Sequence, residues 1–143
     1  MGRGGYFAID SLHGVYVLVV DAERDSGVLL SSIFRYAGAF VVTVAAPAAA
    51  LDAMKHVKPD ALVVNVPSSQ DGETFTDVVR SLKPEAGGVL PIVAIATTPR
   101  DRARLLDAGF SAVLIAPVDP WELCRLVASF AAQIMSDRVA PER

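Results

Sequence analysis

Five short, almost unbroken apolar runs punctuate the chain, at residues 15–20, 40–45, 61–66, 92–96 and 112–115. A strand with one wet face alternates apolar and polar residues, so runs that do not alternate predict strands covered on both faces, as in a parallel sheet. Segments with helical spacing lie between them. Leu30, Ile33, Phe34 and Ala37 form one stripe, closed by Gly38, and Ala50, Leu51, Met54 and Val57 form another, stopped by Pro59. Residues 73–83 and 100–108 are amphipathic, and the second segment ends at Gly109. Each strand is therefore followed by a helix. Right-handed crossovers then give an α/β fold, a doubly wound five-stranded parallel sheet of flavodoxin-like order 2-1-3-4-5 with helices on both faces.

The last helix has the clearest start. Asp119 is placed to cap it, Pro120 suits its first turn, and Glu122 stands where a capping box wants an acid. It is expected to run over residues 120–136, with Leu123, Val127, Phe130 and Ile134 facing the sheet. A second apolar row, Trp121, Cys124, Ala128, Ala131 and Met135, lies beside that stripe. An arc so broad fits either a deeply buried helix or a surface for a partner or a second copy. The domain is expected to span 15–136, after an N-terminal extension of 1–14 and before a polar tail of 137–143.

At 143 residues the chain suffices for one domain. Its mean hydropathy is high, +0.42, yet no apolar run approaches the roughly 20 residues of a membrane helix. The first residues lack the apolar stretch and small-residue cleavage site of a secretion signal, so the cytoplasm is the expected location. Cys124 is the sole cysteine, and His13 and His56 have no Cys or His at ligand spacing, which argues against a zinc site. A net charge of -3 argues against general affinity for nucleic acid. No glycine-rich loop opens a helix to cradle a nucleotide.

In doubly wound sheets function collects at the carboxyl ends of the strands, here Asp21, Asn65, Ala96 with Thr97, and Ala116. The stretches VLVVDAERDS (17–26), KPDALVVNVPSSQDG (58–72), PIVAIATT (91–98) and AGFSAVLIAPVDP (108–120) carry a resemblance to the receiver domain of bacterial response regulators. It covers about residues 15–130. The resemblance implies phosphoryl transfer to an aspartate ending the third strand. Two acids after the first strand hold Mg²⁺, a Ser or Thr ends the fourth strand, and a Lys ends the fifth. Such a site pairs carboxylates with a hard cation and sets a hydroxyl and an ammonium on the phosphoryl oxygens.

Most of those parts are missing. The acceptor position is Asn65, whose amide cannot form an acyl phosphate; of the acid pair Asp21 remains and Ala22 replaces the other. Ala96 stands at the hydroxyl position, with Thr97 one residue on, and Ala116 stands at the lysine position. Val113 occupies the place where an aromatic switch often sits, and the loop after Asn65 is one residue short, with Pro67 where a carbonyl would face the metal. Ala116-Pro117 replaces the Lys-Pro turn, where the resemblance implies a cis bond. The losses are mutually consistent, since a lysine without its carboxylates would be a buried unpaired charge costing on the order of several kcal/mol. An isolated change at Asn65 would leave three further losses unexplained. One carboxylate, even helped by Glu23, makes a poor Mg²⁺ site, so neither metal nor cofactor is expected.

These observations predict a pseudo-receiver that acts without catalysis, binding a histidine kinase, another regulator or itself, with neither nucleic acid nor membrane as partner. Asp21 also reads as an ordinary strand-end acid bonded to the next loop. Ser68 and Ser69 read as loop residues before they read as kinase targets, and Arg100, Arg102 and Arg104 as a solvated face before a docking face. Two other classes stand beside this one. An atypical receiver would take phosphate at Asp21, Asp71 or a serine. A flavodoxin-like or cobalamin-binding carrier is hinted at by Asp10, His13 and Gly14, though these precede the first strand where the carrier signature follows it.

Overall fold

The computed structural model describes residues 12–65 and 71–138, and of Asp71, Gly72 and residues 134–138 the backbone alone. Its elements alternate along the chain: β1 (Tyr16–Val20), α1 (Arg24–Tyr36), β2 (Phe40–Val44), α2 (Pro47–His56), β3 (Ala61–Asn65), α3 (Asp71–Arg80), β4 (Ile92–Ala96), α4 (Arg102–Ala108), β5 (Ala112–Ile115) and α5 (Pro120–Arg138). Short 3₁₀ turns occupy Pro84–Ala86 and Pro99–Asp101. The five strands form one sheet in the order β2-β1-β3-β4-β5, every pair parallel.

The period of two along each strand divides the core into two layers. Val17 and Val19 of β1, Val63 of β3, and Val93 and Ile95 of β4 face α1 and α5, where Leu30, Phe34, Leu123 and Val127 meet them. Leu18, Val20, Leu62, Val64, Ile92 and Ala94 face α2, α3 and α4, against Met54, Phe75, Val79 and Leu105. Phe34 is wholly buried, and truncating a side chain of that size in a packed core costs about 3–5 kcal/mol. The core reaches back to Leu12, three residues before the expected start of the domain, and Leu12 is itself wholly buried.

Two expectations from the sequence need correction. Coverage on both faces holds for the central strands, but β2 is an edge strand and its first residue, Phe40, is 64% exposed, tilted against Tyr16 with ring centroids 5.2 Å apart. Val57 does not join the stripe of α2. That helix ends at His56, and Val57 turns extended and outward.

The ends of the elements are held by identifiable groups. Asp119 caps α5 by accepting the Trp121 N–H at 3.0 Å, while Glu122 is exposed. Gly109 closes α4 at φ 116°, where a side chain would be strained. At the amino-terminal edge of β4 and β5, the Arg80 guanidinium donates to the carbonyls of Gly109 (3.0 Å), Gly88 (3.2 Å) and Leu90 (2.7 Å) and to Ser111 Oγ (3.2 Å). Ser111 Oγ in turn accepts from Ile92 N at 3.0 Å. On the opposite edge, Arg35 Nη2 donates to the Val41 carbonyl of β2 at 3.2 Å.

Candidate functional site

The carboxyl ends of β1, β3, β4 and β5 converge, as the parallel order requires, and bring together the residues the sequence singled out. Asp21 follows β1, with its own N–H bonded to the Val44 carbonyl at 2.9 Å, and is 5% exposed. Asn65 ends β3 and is half-buried beside it. Ala96 ends β4, fully buried, and the N–H of Ala116 donates to its carbonyl at 2.8 Å. Ala22, Thr97, Ala116 and Pro117 are exposed at the rim, and the Ala116-Pro117 bond is cis.

The centre of this arrangement is a hydrogen bond. Asn65 Nδ2 donates to Asp21 Oδ2 at 3.1 Å, and Glu23 N donates to Asp21 Oδ1 at 2.9 Å. The orientation of the amide follows from charge, because its oxygen turned to the carboxylate would set two acceptors face to face. Both oxygens of Asp21 therefore have a protein donor, one of them from the loop that follows β1.

The magnesium that the resemblance implies does not fit this donor set. Mg²⁺ requires six oxygens in near-octahedral array, and here a single carboxylate faces an amide N–H₂ where a second anionic oxygen would be needed. Among the described residues no group of three or more His, Cys, Asp or Glu side chains is placed to hold a metal. Ala96 and Ala116, at the ends of β4 and β5, carry neither hydroxyl nor ammonium. Thr97 faces solvent, and the neighbouring Thr98 spends its Oγ1 on the Arg100 N–H at 3.3 Å. Pro67, Ser68 and Ser69 lie outside the described residues, as do Asp10 and the side chain of Asp71.

The surface expected on the last helix is only partly present. Trp121 is 44% exposed, but Cys124 is buried at 4%, its Sγ lying 3.9 Å from the Ile33 carbonyl. Ala128 is half-buried, and the Met135 side chain is outside the described residues. The helix is rotated so that part of its second row packs on α1, which leaves Cys124 almost fully buried at the base of a groove beside Tyr36 and Trp121. Burial pushes its thiol up from an ordinary 9.0 to about 11, so it stays protonated and inert. Two of the three arginines are engaged within the fold: Arg104 pairs with Glu73 and Asp101, and Arg102 donates to the Val113 carbonyl at 2.9 Å, while Arg100 is exposed.

What the sequence reading missed is the outer face of α1. Val28, Leu29 and Tyr36 are 59%, 62% and 69% exposed. Leu30, Ile33, Phe34 and Ala37 already supply a complete inward stripe, so further large apolar residues on the same helix were the available signal.

No family model matches the sequence. A protein of Leptolyngbya boryana described as an uncharacterized 14.6 kDa protein in the sodA1 3′ region is 34% identical over 124 residues, 85% of this chain and 93% of that one. Among solved structures, a response regulator described as putative, from Chloroflexus aurantiacus, is 27% identical, with a TM-score of 0.76 over 82% of this chain and 98% of its own. The receiver domain of a sensor histidine kinase of Pseudomonas aeruginosa, with magnesium coordinated in its active-site cleft, shares the fold at 24% identity and a TM-score of 0.74, covering 83% of this chain and 98% of that domain. The signal receiver domain of a histidine kinase from Syntrophus aciditrophicus does so at 18% identity and 0.76, over 90% and 96% of the two chains.

Proposed function

We propose that this chain, which belongs to the receiver-domain family of two-component response regulators, is a pseudo-receiver that signals by binding a protein partner and carries out no phosphoryl transfer. The observation that carries the reading is the bond from the Asn65 amide to the Asp21 carboxylate at 3.1 Å. At that position the receiver resemblance implies an acceptor aspartate, near acids that hold Mg²⁺. Here a neutral donor meets one anion directly, so the strand ends are tied together without metal. Ala96 and Ala116 complete the argument, since neither can contact or neutralise a phosphoryl oxygen.

The helical flanks of the domain offer a surface. Val28, Leu29 and Tyr36 stand exposed on α1, and Tyr36 shares a groove with Trp121 at the start of α5; such apolar side chains suit the apolar stripe of a partner helix, from a histidine kinase or another regulator. Among the described residues no helix is long and apolar enough to cross a membrane, and we place the module in the cytoplasm with a protein as its partner.

The test pairs chemistry with capture. Incubation with acetyl phosphate and Mg²⁺ should leave the intact mass unchanged, whereas a stable phosphoryl group on any residue, Asp71 included, defeats the reading. A partner captured from native lysate by the wild-type chain should be lost with Leu29→Glu, a surface change that leaves the fold intact. A partner retained equally by that variant would move the interface elsewhere.

A further inference from the structure

A groove of about 450 Å³ runs between α1 and the edge strand β2. Its helical wall carries Arg24, Gly27, Ser31 and Arg35, spaced three or four residues apart and so stacked on one face, and Thr43 stands opposite on β2. Gly27 lets the helix lie close on the strand, since an added Cβ would come within 3.1 Å of Thr43 Cγ2. Ser31 is only 8% exposed, yet its hydroxyl has no hydrogen-bond partner among the described residues. No fully enclosed polar side-chain atom among those residues lacks a partner, so the Ser31 oxygen keeps an opening, and the groove it lines is where it opens. A nearly buried hydroxyl left unpaired disfavours the fold, and a ligand in the groove would complete it.

We propose that this groove binds a small phosphomonoester with a hydroxylated body, its phosphate taken by Ser31, Thr43 and Arg35 and its hydroxyls by Glu23 and Arg24. The charges set the direction. Arg24 opens α1 and Arg35 lies in its last turn, about 16 Å apart along the helix axis. Both acids of the groove, Asp21 and Glu23, flank the Arg24 end; they repel a phosphate there and accept from neutral hydroxyls. At the other end Arg35 gives one Nη to the Val41 carbonyl and keeps the rest of its fork for an anion, with the Ser31 and Thr43 hydroxyls beside it. The volume falls in the range of about 300–1,000 Å³ usual for small-molecule pockets. Leu29 and Tyr36 lie outside the groove and Val28 only borders it, so the inference does not rest on the partner surface.

Amide NMR spectra of the isotope-labelled full chain, titrated with α-glycerophosphate, glycerol and inorganic phosphate, test this. The expected result is a saturable shift at Ser31, Arg35 and Thr43 with the ester, at a dissociation constant of about 1 mM or tighter. Glycerol should produce none, and inorganic phosphate should bind about ten-fold more weakly because it lacks the body. Ser31→Ala should weaken the ester about ten-fold while the melting temperature holds or rises, since the unpaired hydroxyl is gone. A hydroxyl with a structural role alone would do the reverse. Arg35→Gln, which removes the cation, gives a second reading and should weaken the ester at least as much. Ester binding that fails to saturate by about 10 mM overturns the proposal, as does Ser31→Ala binding like the wild type. Inorganic phosphate binding as tightly as the ester also overturns it, and would mean an adventitious ion only.

Discussion

Asn65 and Asp21 meet amide to carboxylate, 3.1 Å apart, across the ends of two adjacent parallel strands, and the second oxygen of Asp21 holds the Glu23 N–H at 2.9 Å. Both donors point at one nearly buried carboxylate, so the pair fixes the turn from β1 into α1 as well as the end of β3. A double-mutant cycle with Asp21→Ala and Asn65→Ala should find each single change costing about 1–2 kcal/mol, with a coupling of about 1 kcal/mol, read by urea denaturation. A coupling near zero would mean the contact does not hold the strand ends together.

Restoring the acceptor should not restore the chemistry. Asn65→Asp exchanges a donor for a second anion at the same short distance, and the variant should lose about 1–3 kcal/mol at neutral pH. It should also stay unlabelled by acetyl phosphate, since Ala96 and Ala116 still supply neither hydroxyl nor cation. Intact-mass spectrometry and urea melts check the two halves.

Arg80 provides a prediction far from the cleft. Its guanidinium binds three backbone carbonyls and Ser111, joining the end of α3 to the starts of β4 and β5. Arg80→Ala leaves the carbonyls of Gly88, Leu90 and Gly109 without that donor and should cost about 2–4 kcal/mol. Arg80→Lys should recover only part of this in the same melt, because an ammonium cannot reproduce the fork.

Cys124 predicts an alkaline limb of stability. Its thiol is raised from 9.0 to about 11 by burial, so above pH 9 the unfolded chain ionises while the folded one does not. The contribution is whole below the unfolded value and is lost as pH climbs to about 11. Stability should fall by on the order of 1–2 kcal/mol across that window, and Cys124→Ala should flatten the limb. Thiol titration at pH 8 should be slow in the native protein and immediate in denaturant.

The sheet was legible because its evidence is local. The runs at 92–96 and 112–115 coincide with β4 and β5, and Asp119 caps α5 as its spacing implies. The candidate site was legible for a related reason, since parallel topology alone sends Asp21, Asn65, Ala96 and Ala116 to one end. What depends on rotation or distance was not. Whether Cys124 faces α1 or solvent turns on the setting of α5 about its axis, which a broad apolar arc leaves open. The partners of Arg80 lie 8 to 31 residues away in sequence, with no motif to announce them. The Asn65 bond needed the geometry of two strand ends, though the residue types were in view.

Arg35 has a bearing on how copies of this protein can meet. In β2 the N–H of Phe40 and the carbonyl of Val44 turn inward to β1, which leaves the backbone N–H and carbonyl of the buried Val41 directed at the open edge, and Arg35 sits on that carbonyl at 3.2 Å. A foreign strand seeking to lengthen the sheet there would have to evict a guanidinium from the first acceptor it needs. Fibre-like growth along that border is thereby discouraged, and recognition is steered to the helical flanks.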